Sequence, residues 1–424
     1  PDRIKQNHSH RVTPYLLDQV ESEARSQKAV QVQADLAALR RALASLAKAA
    51  EDGKTAQAAR LGDERSRVAR LDVGDLPAAF ETERNQGTLS LHRTFKDAQD
   101  ELKPLVTKLK KDTDAAVHSE ELLEALEDWD RFRNGALRYL KWEEDRIELH
   151  IRLLDPAVPA RAVFDRVHTA ILMSGTLRPP EMVRDLLGLD EARTLVRSYP
   201  SPFPPEHRPV VVAKGYTTRF AERGQRLWNR IAGTIKDVAA AAKGNLAVYA
   251  PSYQVLRDVR TACGPGVAGK EDIVEEPGLT KGERDRVLDT LQGARKRKGA
   301  VLWGVLGGSF SEGVDFRDNL LSAVIVVGLP LAPPDLEVEA AIAYFDRKHR
   351  GRGRAYAYNY PAMNKVLQAM GRGIRGPTDK CAVLLLDERY LAPPYRQLLP
   401  DDANVVPSED PAFTVTAFLE ANGL

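Results

Sequence analysis

Cysteine is nearly absent: Cys263 and Cys381 are the only two in 424 residues, and they lie far apart in sequence. A pair cannot furnish a four-cysteine iron–sulfur cluster or structural zinc site. The eight histidines show no ligand spacing. His8 and His10 read as a solvated tail, because nothing beside them completes a metal site. No apolar run reaches the length of a bilayer span and no signal-peptide pattern opens the chain, so no membrane partner is expected. An intracellular protein is expected, cytoplasmic in a prokaryote. Bulk charge is lacking too, with 62 Lys and Arg against 60 Asp and Glu and a net charge of +2. Nucleic-acid binding would therefore have to come from local patches.

What is present is a globular composition, 43% hydrophobic and 29% charged, long enough for two or three domains. Up to about Trp142 the pattern is helical. Val32, Leu36, Leu39, Leu43 and Leu46 recur at spacings of four and three, as do Leu91, Phe95, Ala98, Leu102, Leu105 and Leu109. Gly53 and Pro104 read as punctuation or a kink. From about Arg146 the texture changes to apolar runs of strand length: AILMS (170–174), PVVVA (209–213), NLAVYA (245–250), AVLWGVL (300–306), SAVIVVGL (322–329) and CAVLLLD (381–387). Helical stretches near 219–243, 252–262, 280–294, 335–349 and 361–375 separate most of them. This alternation predicts a parallel sheet covered on both faces. The fold class is thus α/β, with a helical domain over 1–154 and an α/β domain over 155–424. The basic stretches Arg295–Lys298 and Arg347–Arg354 read either as solvated loops or as tracks for a nucleic-acid backbone.

A phosphate-binding loop is missing. The near match GPGVAGK (264–270) lacks the final hydroxyl, follows a helical segment instead of a strand, and is not followed by a helix start. Asp387-Glu388 follows a strand but stands in the wrong order for a Mg²⁺-binding acidic pair. Over 361–375 the apolar spacing predicts a helix starting at Pro361, on which Gln368, Arg372 and Arg375 share one stripe. Arginines beside Gly371 suit a phosphate grip; they equally suit a solvated helix C-terminus.

Other loops follow strands in a distinctive order. Ser174-Gly175-Thr176-Leu177 follows the first run. Pro251-Ser252-Tyr253 follows NLAVYA, where Ser252 suits a helix cap and Tyr253 a base-stacking ring. GGSFSEGVDF (307–316) follows AVLWGVL and sets Glu312 and Asp315 at a strand's C-terminal edge, where ligands of α/β folds bind. In order, SGTL, APSY, GGSFSEGVDF, VGLPLAPPD and QAMGRGIR resemble motifs III to VI of superfamily 2 helicases. They are most similar to the XPD (xeroderma pigmentosum group D) and DinG group. SPF (201–203) and Tyr216-Thr217-Thr218-Arg219 also look like that group, and the resemblance runs from about Arg161 to Tyr390.

The resemblance implies a RecA-like second motor domain preceded by a mainly helical Arch domain, in an ATP-dependent 5′→3′ DNA helicase of nucleotide excision repair. It implies that Arg372 and Arg375 act as arginine fingers on ATP held by a first motor domain, with Gln368 positioning them. Gly313, Asp315 and Glu312 would line the nucleotide cleft, and Ser174 and Thr176 would couple hydrolysis to strand movement. Ser252, Tyr253, Thr217 and Arg219 would face single-stranded DNA. ATP, Mg²⁺ and a 4Fe-4S cluster would belong to the complete protein. Fork DNA, the first motor domain and repair-complex subunits would be its partners. In the family the motif II box is commonly followed by residues like Pro1-Asp2-Arg3-Ile4, so this chain is expected to begin just after that box and to lack ATPase activity alone. A non-catalytic scaffold, a DNA-binding module without a motor and a DinG-type helicase stay open as alternatives.

Overall fold

The structure, a computed structural model, describes all residues except 1, 53–57, 61–66, 87–91, 112–114, 317 and 332–334; for residues 2 and 58–60 it describes the backbone alone. Pro1, Gly53, Leu91 and positions 332–334 of VGLPLAPPD therefore lie outside the described residues.

The chain folds into two compact units, each discontinuous in sequence. The first comprises Pro1–Leu172, Glu181–Leu195 and Pro334–Gly353, and the second Met173–Pro180, Val196–Pro333 and Arg354–Leu424. The sequence reading draws one boundary at 154/155, whereas in the packing the first unit runs on to Leu172 and takes back two later segments. Charge and shape explain the second return. The helix Leu336–Lys348 offers Glu337 to Tyr139 Oη and Arg152 Nε at 2.5 and 2.7 Å, and its Tyr344 and Lys348 each reach Asp155 at 2.6 Å.

In the first unit the expected helices form. Val32, Leu36, Leu39, Leu43 and Leu46 are all buried along Val30–Glu51. Phe95–Leu109 starts at a capping box of Thr94 and Asp97 and carries Pro104 in its interior. The unit also contains strands that helical periodicity does not place: β1 (His10–Val12), β2 (Ala58–Arg60), β3 (Arg67–Leu71), β4 (Ala136–Glu143) and β5 (Arg146–Leu153), in the antiparallel order β1-β5-β4-β3-β2. His8 and His10 are not a solvated tail. His8 Nδ1 and His10 Nε2 lie 3.0 and 2.9 Å from Asp128 Oδ2, and pairing of β1 with β5 holds His10 there.

The second unit is built on a parallel sheet of β6 (Val210–Ala213), β7 (Asn245–Ala250), β8 (Glu271–Val274), β9 (Ala300–Val305), β10 (Leu321–Val327), β11 (Ala382–Leu386) and β12 (Val405–Ser408). Their spatial order is β12-β6-β11-β10-β7-β9-β8. Neighbouring residues of each strand face opposite sides. Val211, Val248, Trp303 and Ile325 pack on helices Gln225–Ala241, Tyr253–Cys263 and Pro411–Asn422, while Val212, Tyr249, Leu302 and Val326 pack on helices Lys281–Arg295 and Tyr360–Met370. Both faces are dry, so each fully buried Val or Leu contributes about 1.5–3 kcal/mol. Five of the six expected strands form here. The exception is AILMS, which is neither strand nor buried: Ile171 and Met173 are 84% and 89% exposed. Its composition is that of a strand, yet no described strand pairs with it, and an unpaired strand has no ladder to satisfy its backbone.

Candidate functional site

The loop GGSFSEGVDF leaves the C-terminal end of β9 and closes on itself. Gly307 takes φ +85°, its N–H donates to Ser311 Oγ at 2.8 Å, and Ser311 Oγ donates to the Gly308 carbonyl at 3.2 Å. Phe310, Val314 and Phe316 sink into the core, and the buried Tyr249 hydroxyl donates to the Phe310 carbonyl at 2.9 Å. Gly313, at φ +77°, and Asp315 stay exposed, with Glu312 half-buried.

The arginines of QAMGRGIR gather on this loop. Arg372 Nε donates to the carbonyls of Ser311 and Gln368 at 2.9 and 3.2 Å, and its Nη1 donates to the Val314 carbonyl at 2.6 Å. Burial and the nearby Arg375 charge lower its pKa. Arg375 Nε pairs with Asp315 Oδ1 at 3.0 Å, both side chains being more than a third exposed, so that pair adds little stability. Gln368 Oε1 is buried without a hydrogen-bond partner among the described residues. Thus Gln368, Arg372, Arg375, Glu312, Gly313 and Asp315 come together.

They do so without the single helical stripe the spacing predicts. The helix ends at Met370 with Gly371 as its cap, and both arginines lie beyond it. Close packing sets the course of the chain here: a Cβ on Gly373 would come 2.2 Å from Cys381 Sγ, and the Asp379 carboxylate takes the N–H groups of Arg375 and Gly376. At its start the helix is continuous with a π-turn over Ala355–Asn359, so Pro361, which has no N–H to donate, is not the first residue of the helical run.

The candidates for single-stranded DNA sit on two other strand ends. Beyond β6, Thr217 is half-buried and Arg219 exposed, flanking a buried Thr218. The Thr218 N–H and Oγ1 both donate to Asp387 Oδ2 at 2.9 Å, and Asp387 also receives Arg389 Nη2 at 2.7 Å. Gly328, at the end of β10, must stay a glycine because a Cβ would lie 2.2 Å from Thr218 Oγ1. Next to Arg219, Phe220 is 87% exposed. Beyond β7, Ser252 caps the helix Tyr253–Cys263 by accepting the Val255 N–H at 3.3 Å, while Tyr253 packs partly against the core. Ser174 and Thr176 are exposed or nearly so and lie 3.2 Å apart, hydrogen-bonded to one another and not, among the described residues, to the arginine cluster.

The Gly264–Lys270 near match is structural. Lys270 is 4% exposed, and its Nζ donates to the carbonyls of Ala242, Gly244 and Lys298 at 2.7–2.9 Å. It ties strand starts together and has no donor left for a phosphate. Metal ligands are equally scarce: among the described residues no group of three His, Cys, Asp or Glu is arranged for a metal. Cys263 and Cys381 are buried on opposite faces of the sheet, so these residues do not fit an iron–sulfur cluster.

Sequence reasoning missed Asp387 and Arg389 as supports of the Thr217–Arg219 loop, the exposed Phe220, and Glu275, which is buried behind GGSFSEGVDF. A carboxylate directly after an apolar strand was the available signal for Asp387. Glu275 follows β8, a four-residue edge strand too short to stand out in the sequence.

The Helicase C-terminal domain family matches residues 235–405. The ATP-dependent DNA helicase XPD of Sulfolobus acidocaldarius is 29% identical over 237 residues, 53% of this chain and 40% of that protein. The ATP-dependent DNA helicase CHL1 of Coccidioides immitis is 30% identical over 295 residues, 60% of this chain and 34% of that protein. This chain therefore spans well under half of those two relatives. The solved XPD apo structure superposes with a TM-score of 0.57 at 20% identity, over 96% of this chain and 75% of its own, and S. tokodaii Xpd4 with 0.56 at 16%, over 96% and 74%. At such identities the likeness is one of fold. Taken with the order of the five motifs, these matches make the chain similar to the C-terminal portion of XPD/DinG-type superfamily 2 helicases, with a Helicase C-terminal domain match over residues 235–405.

Proposed function

We propose that the chain supplies the second half of an ATP-driven motor that unwinds DNA in the 5′→3′ direction during nucleotide excision repair. The observation that carries this reading is the pair Arg372 and Arg375 seated on the Gly307–Phe316 loop at the C-terminal edge of a parallel sheet. Carbonyls hold Arg372 by Nε and Nη1, and its Nη2 has no partner among the described residues. That Nη2 and the Arg375 guanidinium are the groups to meet a phosphate. ATP, held with Mg²⁺ by the first motor domain, supplies the phosphoryl group whose transfer drives the motor. Arg372 and Arg375 stabilise charge on that group, Gln368 helps hold them, and Glu312, Gly313 and Asp315 line the cleft. Exchange of Asp315 for phosphate as the partner of Arg375 would couple nucleotide occupancy to the loop.

Thr217, Arg219, Ser252 and Tyr253 face the tracked single strand, with the exposed Phe220 as an added stacking surface. Ser174 and Thr176 couple hydrolysis to strand movement. The exposed apolar run through Ile171 and Met173 supports a first motor domain that covers it. The 4Fe-4S cluster belongs to that other half, and fork DNA and repair-complex subunits are partners of the complete intracellular protein.

The test is ATP hydrolysis. The purified chain is expected to show none, and Arg372→Ala in the complete protein is expected to abolish turnover while leaving DNA binding largely intact. Mg²⁺-dependent turnover by this chain alone would refute the division of labour. Binding of DNA with strong salt dependence but no response to ATP in the complete protein would favour a DNA-binding module.

A further inference from the structure

Glu275 lies directly beyond β8 and is 2% exposed. A buried carboxylate is costly unless N–H groups surround it. Here Oε2 accepts the Val305 N–H at 3.1 Å, and the N–H groups of Ser309 and Phe310 point at the same carboxylate. Burial raises its pKa while these three donors pull it back. The backbone has been cut away to admit it: a Cβ on Gly304 would lie 2.6 Å from Oε2, and one on Gly308 2.5 Å from Oε1. The second glycine of GGSF therefore makes room for an internal carboxylate and not for a ligand. Phe310 is held from both sides, its N–H by Glu275 and its carbonyl by Tyr249 Oη. The next carbonyl along the chain, that of Ser311, accepts Arg372 Nε.

We propose that Glu275 is a positioning residue, whose carboxylate fixes the peptide planes at 309–310 and thereby aims Arg372 through the carbonyls of Ser311 and Val314. Apolar anchors set how deep the loop sits; the carboxylate sets which way its carbonyls point. The part of this role that concerns hydrolysis rests on the motor reading above.

Two sets of measurements separate the inference from that reading. In the purified chain, Glu275→Ala and Glu275→Gln are compared by hydrogen exchange at the Ser309 and Phe310 amides and by NMR of the Arg372 Nε–H. Both variants are expected to speed exchange by about tenfold or more and to release the Arg372 Nε–H to solvent, Glu275→Gln less so. Gly308→Ala should do the same in the native background and add little to Glu275→Ala, because its clash is then gone. An Arg372 Nε–H that stays protected in both Glu275 variants overturns the proposal. In the complete protein, Glu275→Gln is expected to lower kcat for ATP about 10–100-fold with KM for ATP little changed. Loss of turnover in Arg372→Ala but full kcat in Glu275→Gln would overturn positioning for catalysis. Full turnover in Arg372→Ala would instead sink the motor reading, leaving the loop measurements to decide the role of Glu275.

Discussion

The two units bury polar groups for different ends. In the first, each buried acid meets side chains from distant segments: Asp35 meets Arg84 and Arg93, Glu148 meets Arg11, Asp128 meets His8 and His10, and Asp155 meets Tyr344 and Lys348. In the second, buried and half-buried polar groups address mostly backbone: Lys270 and Arg372 bind carbonyls, Glu275 binds N–H groups, and Asn245 binds both. The first pattern staples separate elements to one another. The second gives fixed shapes to the ends of strands, Lys270 and Asn245 at their starts and Glu275 and Arg372 at the loop GGSFSEGVDF beyond β9. Burial of acids thus marks assembly in the first unit, whereas in the second polar groups mostly shape the backbone at strand ends.

The largest expected departure from that picture is Arg372→Ala in the complete protein, a loss of about 10³-fold or more in ATP turnover with little change in melting temperature. A comparable loss of stability would show that Arg372 is mainly a structural strut. Next, Asp387→Ala strips a fully buried acid from Thr218 and Arg389 and should cost about 3–5 kcal/mol in urea unfolding, with weaker single-strand binding through the disordered Arg219 loop. Lys270→Met leaves three carbonyls without their donor and should cost about 2–3 kcal/mol; nucleotide affinity of the complete protein should not change, as expected of a lysine that touches no phosphate.

The smallest effect falls in the first unit. Asp128→Asn should cost about 1–2 kcal/mol at neutral pH. Burial alone would raise the Asp128 pKa, but hydrogen bonds from His10 and His8 outweigh it and lower the value below the ordinary 3.8. A lowered folded pKa gives stability that is present above 3.8 and lost as the pH falls through the folded value. Urea midpoints of the two proteins should therefore converge in acid, and a gap that persists there would assign the loss to packing.

Much of the second unit is legible in the sequence because its strands are covered on both sides and read as unbroken apolar runs. NLAVYA coincides with β7, the runs at 209–213, 300–306 and 381–387 each contain their strand, and β10 starts one residue before the run at 322–329. The β4–β5 hairpin of the first unit escapes that reading since charge interrupts it. Arg138 is buried within β4, donating to the carbonyls of Trp129 and Phe132, and Glu148 and His150 are buried within β5. The AILMS run fails in the opposite sense: composition reports affinity for a core, not the existence of a partner strand. At the site, order in sequence was enough to group Gln368, Arg372 and Arg375 with GGSFSEGVDF, whose contacts the structure supplies. Of the internal supports, Asp387 is flagged in sequence only by its place directly after an apolar strand, and Glu275 emerges only when the loop it holds is seen.

The helix Leu336–Lys348 also bears on biosynthesis. Residues up to 172 leave the ribosome long before it does, yet Tyr139, Arg152 and Asp155 find their partners on that late segment. Of the two units, the one translated earlier is then the one that must wait, holding those side chains without their late partners until the α/β sheet around β7, β9 and β10 has been synthesised. A nascent chain whose first residues up to about 330 have cleared the ribosome is expected to have most of the second sheet's strands and an unfinished first unit, the reverse of simple N-to-C maturation.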